Sequence, residues 1–163
     1  MFNMFVKPRR SGNTEDLIYA YIRSSMAGAK NYIVCMNETC KTDIYFRIKD
    51  KIRYRNEFER EIYRESNIMN AMFNRFEDSI LTIGNVNSYA LRGRMCDNIF
   101  IDEVLPQEMR LLMEISYNIY FYTGQYISKK TLENKYDILK DDINITGIRI
   151  TSKLTKENKC TLI

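Results

Sequence analysis

A loop near the amino terminus carries residue types that bind phosphate. It follows the apolar stretch FNMFV, precedes an amphipathic run, and consists of Lys7, Pro8, Arg9, Arg10, Ser11, Gly12, Asn13 and Thr14. A phosphate loop needs backbone N–H groups at a helix start, a cation for the phosphate oxygens and a hydroxyl for Mg²⁺. Aligned on G-x-x-x-x-G-K-[ST], Gly12 and Thr14 fit, whereas Lys7 replaces the first glycine and Asn13 the lysine. The loop alone therefore also fits a basic turn before a helix, with Thr14 as its N-cap.

An acidic pair downstream has the composition of the second half of a nucleotide site. The stretch NIFIDEV puts Asp102 and Glu103 at the end of an apolar strand. In such a site Asp102 holds Mg²⁺, usually through water, and Glu103 polarises the attacking water. Acids end many strands, but an acidic pair downstream of a loop and helix in this position is much less common than either feature alone. The combination favours the phosphate loop over the plain turn.

A third polar segment follows the next apolar stretch. IYFYTGQ places Thr123, Gly124 and Gln125 after a strand, where P-loop motors have a turn that senses the γ-phosphate and transmits hydrolysis to the nucleic-acid-binding parts. A lone tripeptide of this kind is usually a plain turn. Its order and spacing here support the other two segments.

Alternating strands and helices position these segments. The apolar pattern predicts strands over residues 2–6, 31–36, 79–85, 97–104, 118–124 and 143–150. It predicts helices over residues 15–26, from Thr42 onward, and over 106–116; the second has apolar stripes at Ile44, Ile48 and Ile52 and at Phe58 and Ile62. This alternation predicts an α/β fold, mostly a parallel sheet with helices on both faces. Ligands bind such sheets at the carboxyl ends of the strands, where all three segments fall.

Composition restricts the chemistry. The 163 residues, 45% hydrophobic and 28% charged, predict one folded soluble domain, and no apolar run is long enough for a membrane helix. Histidine is absent, which excludes histidine triads, and without a C-x-x-C pair a zinc site is disfavoured. No export signal is seen, so the four cysteines are expected to be reduced thiols in an intracellular protein. The net charge of +4 permits a polyanionic partner such as nucleic acid.

Residues 5–129 resemble the ATPase core of viral large terminases, the motors that package DNA into capsids. VKPRRSGNT is similar to the P-R-R-x-G-K-T loop of herpesvirus-type terminases, and YALRGRMCDNIFIDEV resembles their Arg-Gly, apolar strand and Asp-Glu. YTGQ stands at the place of their coupling motif. Some tailed-phage terminases carry a deviant loop, K-x-x-x-x-G-x-[ST], which residues 7–14 fit.

The resemblance implies a RecA-like P-loop NTPase fold, with ATP and Mg²⁺ as cofactors. Residues 7–14 then bind the nucleotide, Lys7 supplies the displaced cation, and Arg9 or Arg10 assists at the γ-phosphate. A lysine can reach phosphate from either side of the loop, because its ammonium acts as a point charge. The remaining roles are metal binding by Thr14 and Asp102, catalysis by Glu103, coupling by Thr123, Gly124 and Gln125, and contact with DNA or phosphate by Arg92 and Arg94.

The implied partners are double-stranded DNA and other terminase or portal-type subunits, in an oligomer without a membrane, at the site of viral DNA packaging in the infected host cell. One domain is expected over residues 1–163, with the core at 1–130 and an extension at 131–163 that is too short for a nuclease domain. Asn13 favours an alternative, a catalytically degenerate assembly or DNA-binding component, and a helicase-like nucleic-acid ATPase is a third reading. Cys160 also matches a prenylation box, with Thr161 a poor fit.

Overall fold

The structure, a computed structural model, describes residues 1–53, 75–89 and 91–147. Predictions that concern Phe58, Ile62 and Cys160 lie outside the described residues.

Six described strands form one parallel sheet in the order β3-β2-β4-β5-β1-β6. They are β1 (Phe2–Val6), β2 (Asn31–Cys35), β3 (Ile80–Thr82), β4 (Cys96–Asp102), β5 (Ser116–Thr123) and β6 (Ile143–Gly147). Because all of these strands run the same way, their carboxyl ends meet at one edge of the sheet, which we call the carboxyl edge. The predicted α/β fold with a parallel sheet is confirmed and is consistent with RecA-like and Rossmann-type architectures.

Helices cover both faces of the sheet. The described part of the chain includes α1 (Asn13–Met26), α2 (Glu38–Arg53), α3 (Met109–Ile115) and α4 (Lys129–Tyr136), with short 3₁₀ turns at Ile83–Asn85 and Lys140–Asp142. Residues 75–78 are also helical. One core cluster joins α1 and α2 to Ile33, Ile80 and Phe100, and the other joins α3 and α4 to Val34, Ile101 and Phe121. Among the described helices, none combines the length and the apolar character needed to cross a membrane.

The helix starts differ from the predictions for local reasons. Gly12 is the N-cap of α1, so this helix begins at Asn13, ahead of the predicted start. The Asn37 side chain accepts a hydrogen bond from the Cys40 N–H (2.9 Å), which fixes the start of α2 at Glu38 instead of Thr42. Helix α3 begins at Met109 and not at residue 106.

Two strands are also bounded differently. Strand β3 is shorter than predicted, because the chain turns into a 3₁₀ helix after Thr82. Strand β4 ends at Asp102, so Glu103 lies beyond it.

Residues 131–147 take part in the sheet and the core. Strand β6 pairs with β1 along its whole length, from Phe2 opposite Ile143 to Val6 opposite Gly147. Leu132 of α4, Ile138 and Ile143 are buried in the same cluster as β1. The predicted extension at 131–163 is therefore integral to the fold at least as far as Gly147.

A row of asparagines crosses the opposite edge of the sheet, where the strands begin. Asn31, Asn98 and Asn118 occupy one register position on β2, β4 and β5. The Asn98 amide donates to Asn31 Oδ1 (2.8 Å), and its carbonyl oxygen accepts from Asn118 (3.1 Å). These bonds satisfy polar groups that would otherwise be costly inside a sheet.

Candidate functional site

The loop and the acidic pair meet at the carboxyl edge. Thr14 Oγ1 donates a hydrogen bond to Asp102 Oδ1 at 3.1 Å. Thr14 lies in the first turn of α1, and Asp102 is the last residue of β4. Strand β5 separates β1 from β4 in the sheet, so the two predicted metal ligands converge across this intervening strand.

The loop is a tight turn that ends at the start of a helix. Arg10 and Gly12 have positive φ angles of 64° and 86°, and the Ser11 N–H donates to the Pro8 carbonyl at 3.2 Å. Glycine suits the Gly12 position because a Cβ disfavours this conformation. No side chain caps α1, so its first N–H groups face the loop without the usual capping oxygen. The alternative reading of Thr14 as the N-cap was wrong, because Gly12 holds that place and the Thr14 hydroxyl bonds to Asp102.

Lys7 is held at the start of the loop by both its backbone and its side chain. Its N–H donates to the Thr123 carbonyl at 3.1 Å, which joins the loop to the end of β5. Its ammonium forms an ion pair with Asp16 of α1. The predicted displaced cation thus lies at the loop, with an acidic partner that the sequence analysis did not identify.

Asn13 lies under the loop. Its side chain is only 5% exposed, and its Nδ2 donates to the Lys7 carbonyl at 3.3 Å. Its Oδ1 is buried without a hydrogen-bond partner among the described residues. Asn13 thus holds the backbone of Lys7, the first residue of the loop, in place by a hydrogen bond.

Asp102 has a perturbed acidity. Burial raises the pKa of its carboxyl group from 3.8 to about 6; the hydrogen bond from Thr14 lowers this pKa and the charge of Glu103 raises it. A carboxylate that is desolvated next to a second acid favours a cation nearby. Such an environment is typical of functional sites and also occurs in structural networks.

Glu103 has an unusual backbone conformation beside β5. Its φ angle is 63°, a region that non-glycine residues seldom adopt outside turns and functional sites. The Glu103 N–H donates to the Tyr122 carbonyl at 2.8 Å, and its Oε2 accepts from the Gly124 N–H at 3.4 Å. Its side chain is exposed at the carboxyl edge, where a water molecule can reach it.

The third polar segment contacts both other segments. Thr123 is buried, and its Oγ1 accepts a hydrogen bond from the Gln125 N–H at 3.1 Å. Gly124 packs so closely against Arg9 that a Cβ at this glycine would lie 2.9 Å from Arg9 Cγ. The turn at residues 123–125 is therefore bonded to Glu103 on one side and packed against the loop on the other.

The predicted contacts Arg92 and Arg94 lie apart from this site. Both are exposed in the segment that leads into β4. Arg94 lies two residues before Cys96, where β4 begins, whereas Asp102 ends that strand, about 20 Å from Cys96 at 3.3 Å per residue. The structure does not bring Arg94 to the Thr14–Asp102 pair, and a contact of either arginine with DNA stays a prediction.

A cluster of charged side chains on α1 and α2 was not predicted from the sequence. Glu15 forms ion pairs with Arg47 (3.0 Å) and Lys51 (2.5 Å), and Arg47 also pairs with Asp43 at 2.8 Å. The charge of Arg47 lowers the pKa of Asp102, which places this arginine near the site. The alternating opposite charges of α2 predict a solvated helix surface. Nothing in the sequence indicates that Arg47 and Lys51 pair with Glu15 of α1.

The Thr14 hydroxyl and the Asp102 carboxylate are oxygen atoms of the kind that bind Mg²⁺. A hydroxyl beside one carboxylate is a small set of oxygen ligands, and Mg²⁺ in phosphate sites takes its other ligands from water and the phosphates. Within the described ranges there is no group of three or more acidic or cysteine side chains that would hold a metal alone. A cation at Thr14 and Asp102 would therefore depend on a ligand that brings further oxygens.

Comparison with protein-family models, curated proteins and solved structures gives no significant match.

Proposed function

We propose that the chain is a terminase-type ATPase domain that binds Mg-ATP at residues 7–14 and couples hydrolysis to translocation of viral double-stranded DNA with partner subunits. The observation that carries the proposal is the 3.1 Å hydrogen bond between Thr14 and Asp102. A P-loop site needs this hydroxyl and this carboxylate side by side at the phosphates. DNA, the partner subunits and the location in an infected cell rest on the resemblance in sequence.

Each residue has a distinct role in this proposal. Lys7, Arg9 and Arg10 supply positive charge to the phosphates, and the first N–H groups of α1 complete the anion site. Thr14 and Asp102 would hold Mg²⁺, which would supply positive charge to the phosphates when bound with ATP. Glu103 accepts a proton from the attacking water, and the Gly124 N–H orients its carboxylate.

One observation favours a second candidate, a degenerate relative that serves in assembly or DNA binding. The Lys7 ammonium already pairs with Asp16, so phosphate must compete with a carboxylate for the cation. Asn13 adds no charge in compensation. If Asp16 keeps the Lys7 ammonium and phosphate does not displace it, nucleotide binding is weak and the fold serves another purpose.

Turnover measurements separate the two candidates. We expect Mg-ATP hydrolysis in the presence of double-stranded DNA, and a loss of about 10²-fold or more in Glu103→Gln with binding retained. Lys7→Ala should weaken binding about 10-fold or more, because a hydrogen bond to a charged group is lost. Exposed residues of α4 provide matched controls, Glu133→Gln and Lys130→Ala, which should leave both quantities unchanged. Absence of Mg-ATP binding in calorimetry of the unaltered chain would favour the degenerate candidate.

A further inference from the structure

The carbonyl oxygen of Asn13 is a buried acceptor in need of a donor. The side chain is 95% buried, since its exposed fraction is 5%, and Oδ1 has no partner among the described residues. Asn13 Nδ2 donates a hydrogen bond to the Lys7 carbonyl (3.3 Å), and this bond distinguishes the nitrogen of the side-chain amide from its oxygen. Buried polar atoms are nearly always paired, so an orphan acceptor calls for an explanation.

The Lys7 ammonium lies on the same side of α1 as this acceptor. It pairs with Asp16, which follows Asn13 by three positions on α1, so both side chains lie on the same side of the helix. An ammonium group has three N–H donors and a flexible stem. Rotation of the stem can move the ammonium group between neighbouring acceptors without a change in the backbone.

We infer that Asn13 is a positioning residue for Lys7. When the ammonium group turns from Asp16 toward a phosphate oxygen, it donates one hydrogen bond to Asn13 Oδ1. One amide then holds Lys7 by both ends, its backbone carbonyl through Nδ2 and its ammonium group through Oδ1. The inference rests on the proposed function, and it explains why an amide fills a buried position where the usual loop has a lysine.

A double-mutant cycle tests the inference. Mg-ATP affinity is measured by calorimetry in the unaltered chain, Asn13→Leu, Lys7→Ala and the double variant; leucine keeps the branching and the number of heavy atoms of asparagine without its polar atoms, and it is somewhat larger. We expect Asn13→Leu to weaken binding about 10-fold when Lys7 is present and less than about 3-fold when Lys7 is absent. Asn31→Ala, at a buried amide on the opposite edge, should lower the melting temperature without changing affinity.

A second measurement needs no variant of Asn13. In ¹H–¹⁵N spectra of the chain, the Asn13 side-chain amide signals should shift when Mg-ATP is added, and the shift should be clearly smaller in Lys7→Ala at saturating Mg-ATP.

Two outcomes contradict the inference in different ways. Equal weakening by Asn13→Leu in both backgrounds, or equal spectral shifts in both chains, would make Asn13 a purely structural brace and leave the proposed function standing. No binding of Mg-ATP by the unaltered chain would overturn the proposed function and this inference together.

Discussion

At the scale of a single residue, the ionised carboxylate of Asp102 lowers the stability of the folded chain. Its pKa is about 6 in the folded chain against an ordinary 3.8, so the folded state binds the proton more tightly than the unfolded state does. Stability therefore falls as pH rises between these two values, and the full penalty applies above about pH 6. The ionised carboxylate is kept at a cost to the fold, as is common where a cation is to be bound.

Removing this charge should stabilise the ligand-free chain. We expect Asp102→Asn to raise the free energy of unfolding by up to about 3 kcal/mol near pH 7.5, with a smaller gain near pH 5. The asparagine oxygen can still accept the hydrogen bond from Thr14. Urea unfolding at the two pH values without Mg²⁺ measures the difference. A gain that does not depend on pH, or a loss at both values, would contradict the assigned environment.

At the scale of elements, β6 depends on one glycine. Gly147 has a φ angle of 138°, and a Cβ there would overlap the backbone of Val6, including its carbonyl oxygen. Backbone atoms cannot move aside as a flexible side chain can, so an added methyl group must push β6 away from β1. Because β1 leads directly into the loop, this displacement also reaches the proposed site.

The expected result of Gly147→Ala is a destabilisation of about 2 kcal/mol or more, together with faster amide hydrogen exchange in β6. Gly28→Ala is the matched control, because Gly28 also has a positive φ (92°) but has open space around it. That control should cost only about 1 kcal/mol. Equal losses in the two variants would show that backbone conformation, and not the contact with Val6, decides the effect.

The elements that the sequence predicts well are those with a strong apolar signal. Strands β1, β2, β4 and β5 and helix α1 bury continuous or periodic apolar residues, and their predicted bounds differ from the structure by two residues or fewer at each end. Helix α4 was not predicted, because Leu132 is its only fully buried residue. Its N-cap, where the Ser128 side chain accepts from the Thr131 N–H at 3.1 Å, was the signal available.

The proximity of Thr14 and Asp102 could be predicted from the sequence, but the ion pairs around them could not. The types and positions of Thr14 and Asp102 predict that they lie close together, because β1 leads to Thr14, Asp102 ends β4, and both strands end at the carboxyl edge. The pairing of Lys7 with Asp16 depends on the direction that a flexible side chain takes. The row of Asn31, Asn98 and Asn118 could not be predicted either. Polar residues within an apolar strand give no periodic signal, and only the sheet register brings these three side chains together.

For the molecule as a whole, ligand binding should appear as resistance to heat. A ligand at about 100 times its dissociation constant stabilises the folded state by about 2.7 kcal/mol, which in a chain of this size raises the melting temperature by several degrees. We expect this shift with Mg-ATP and a much smaller one with ATP and a chelator. Thr14→Val should lose the Mg²⁺-dependent part of the shift. An equal shift with and without Mg²⁺ would argue against a metal at Thr14 and Asp102.

Strand β5 has a consequence for how force would pass through the molecule. Its last two carbonyls, those of Tyr122 and Thr123, accept hydrogen bonds from Glu103 and from Lys7 respectively. Strand β5 is also hydrogen-bonded to β1 on one side and to β4 on the other. Force applied to β5 would therefore pass to both neighbouring strands, and Glu103 and Lys7 would keep their separation for as long as these two ladders hold.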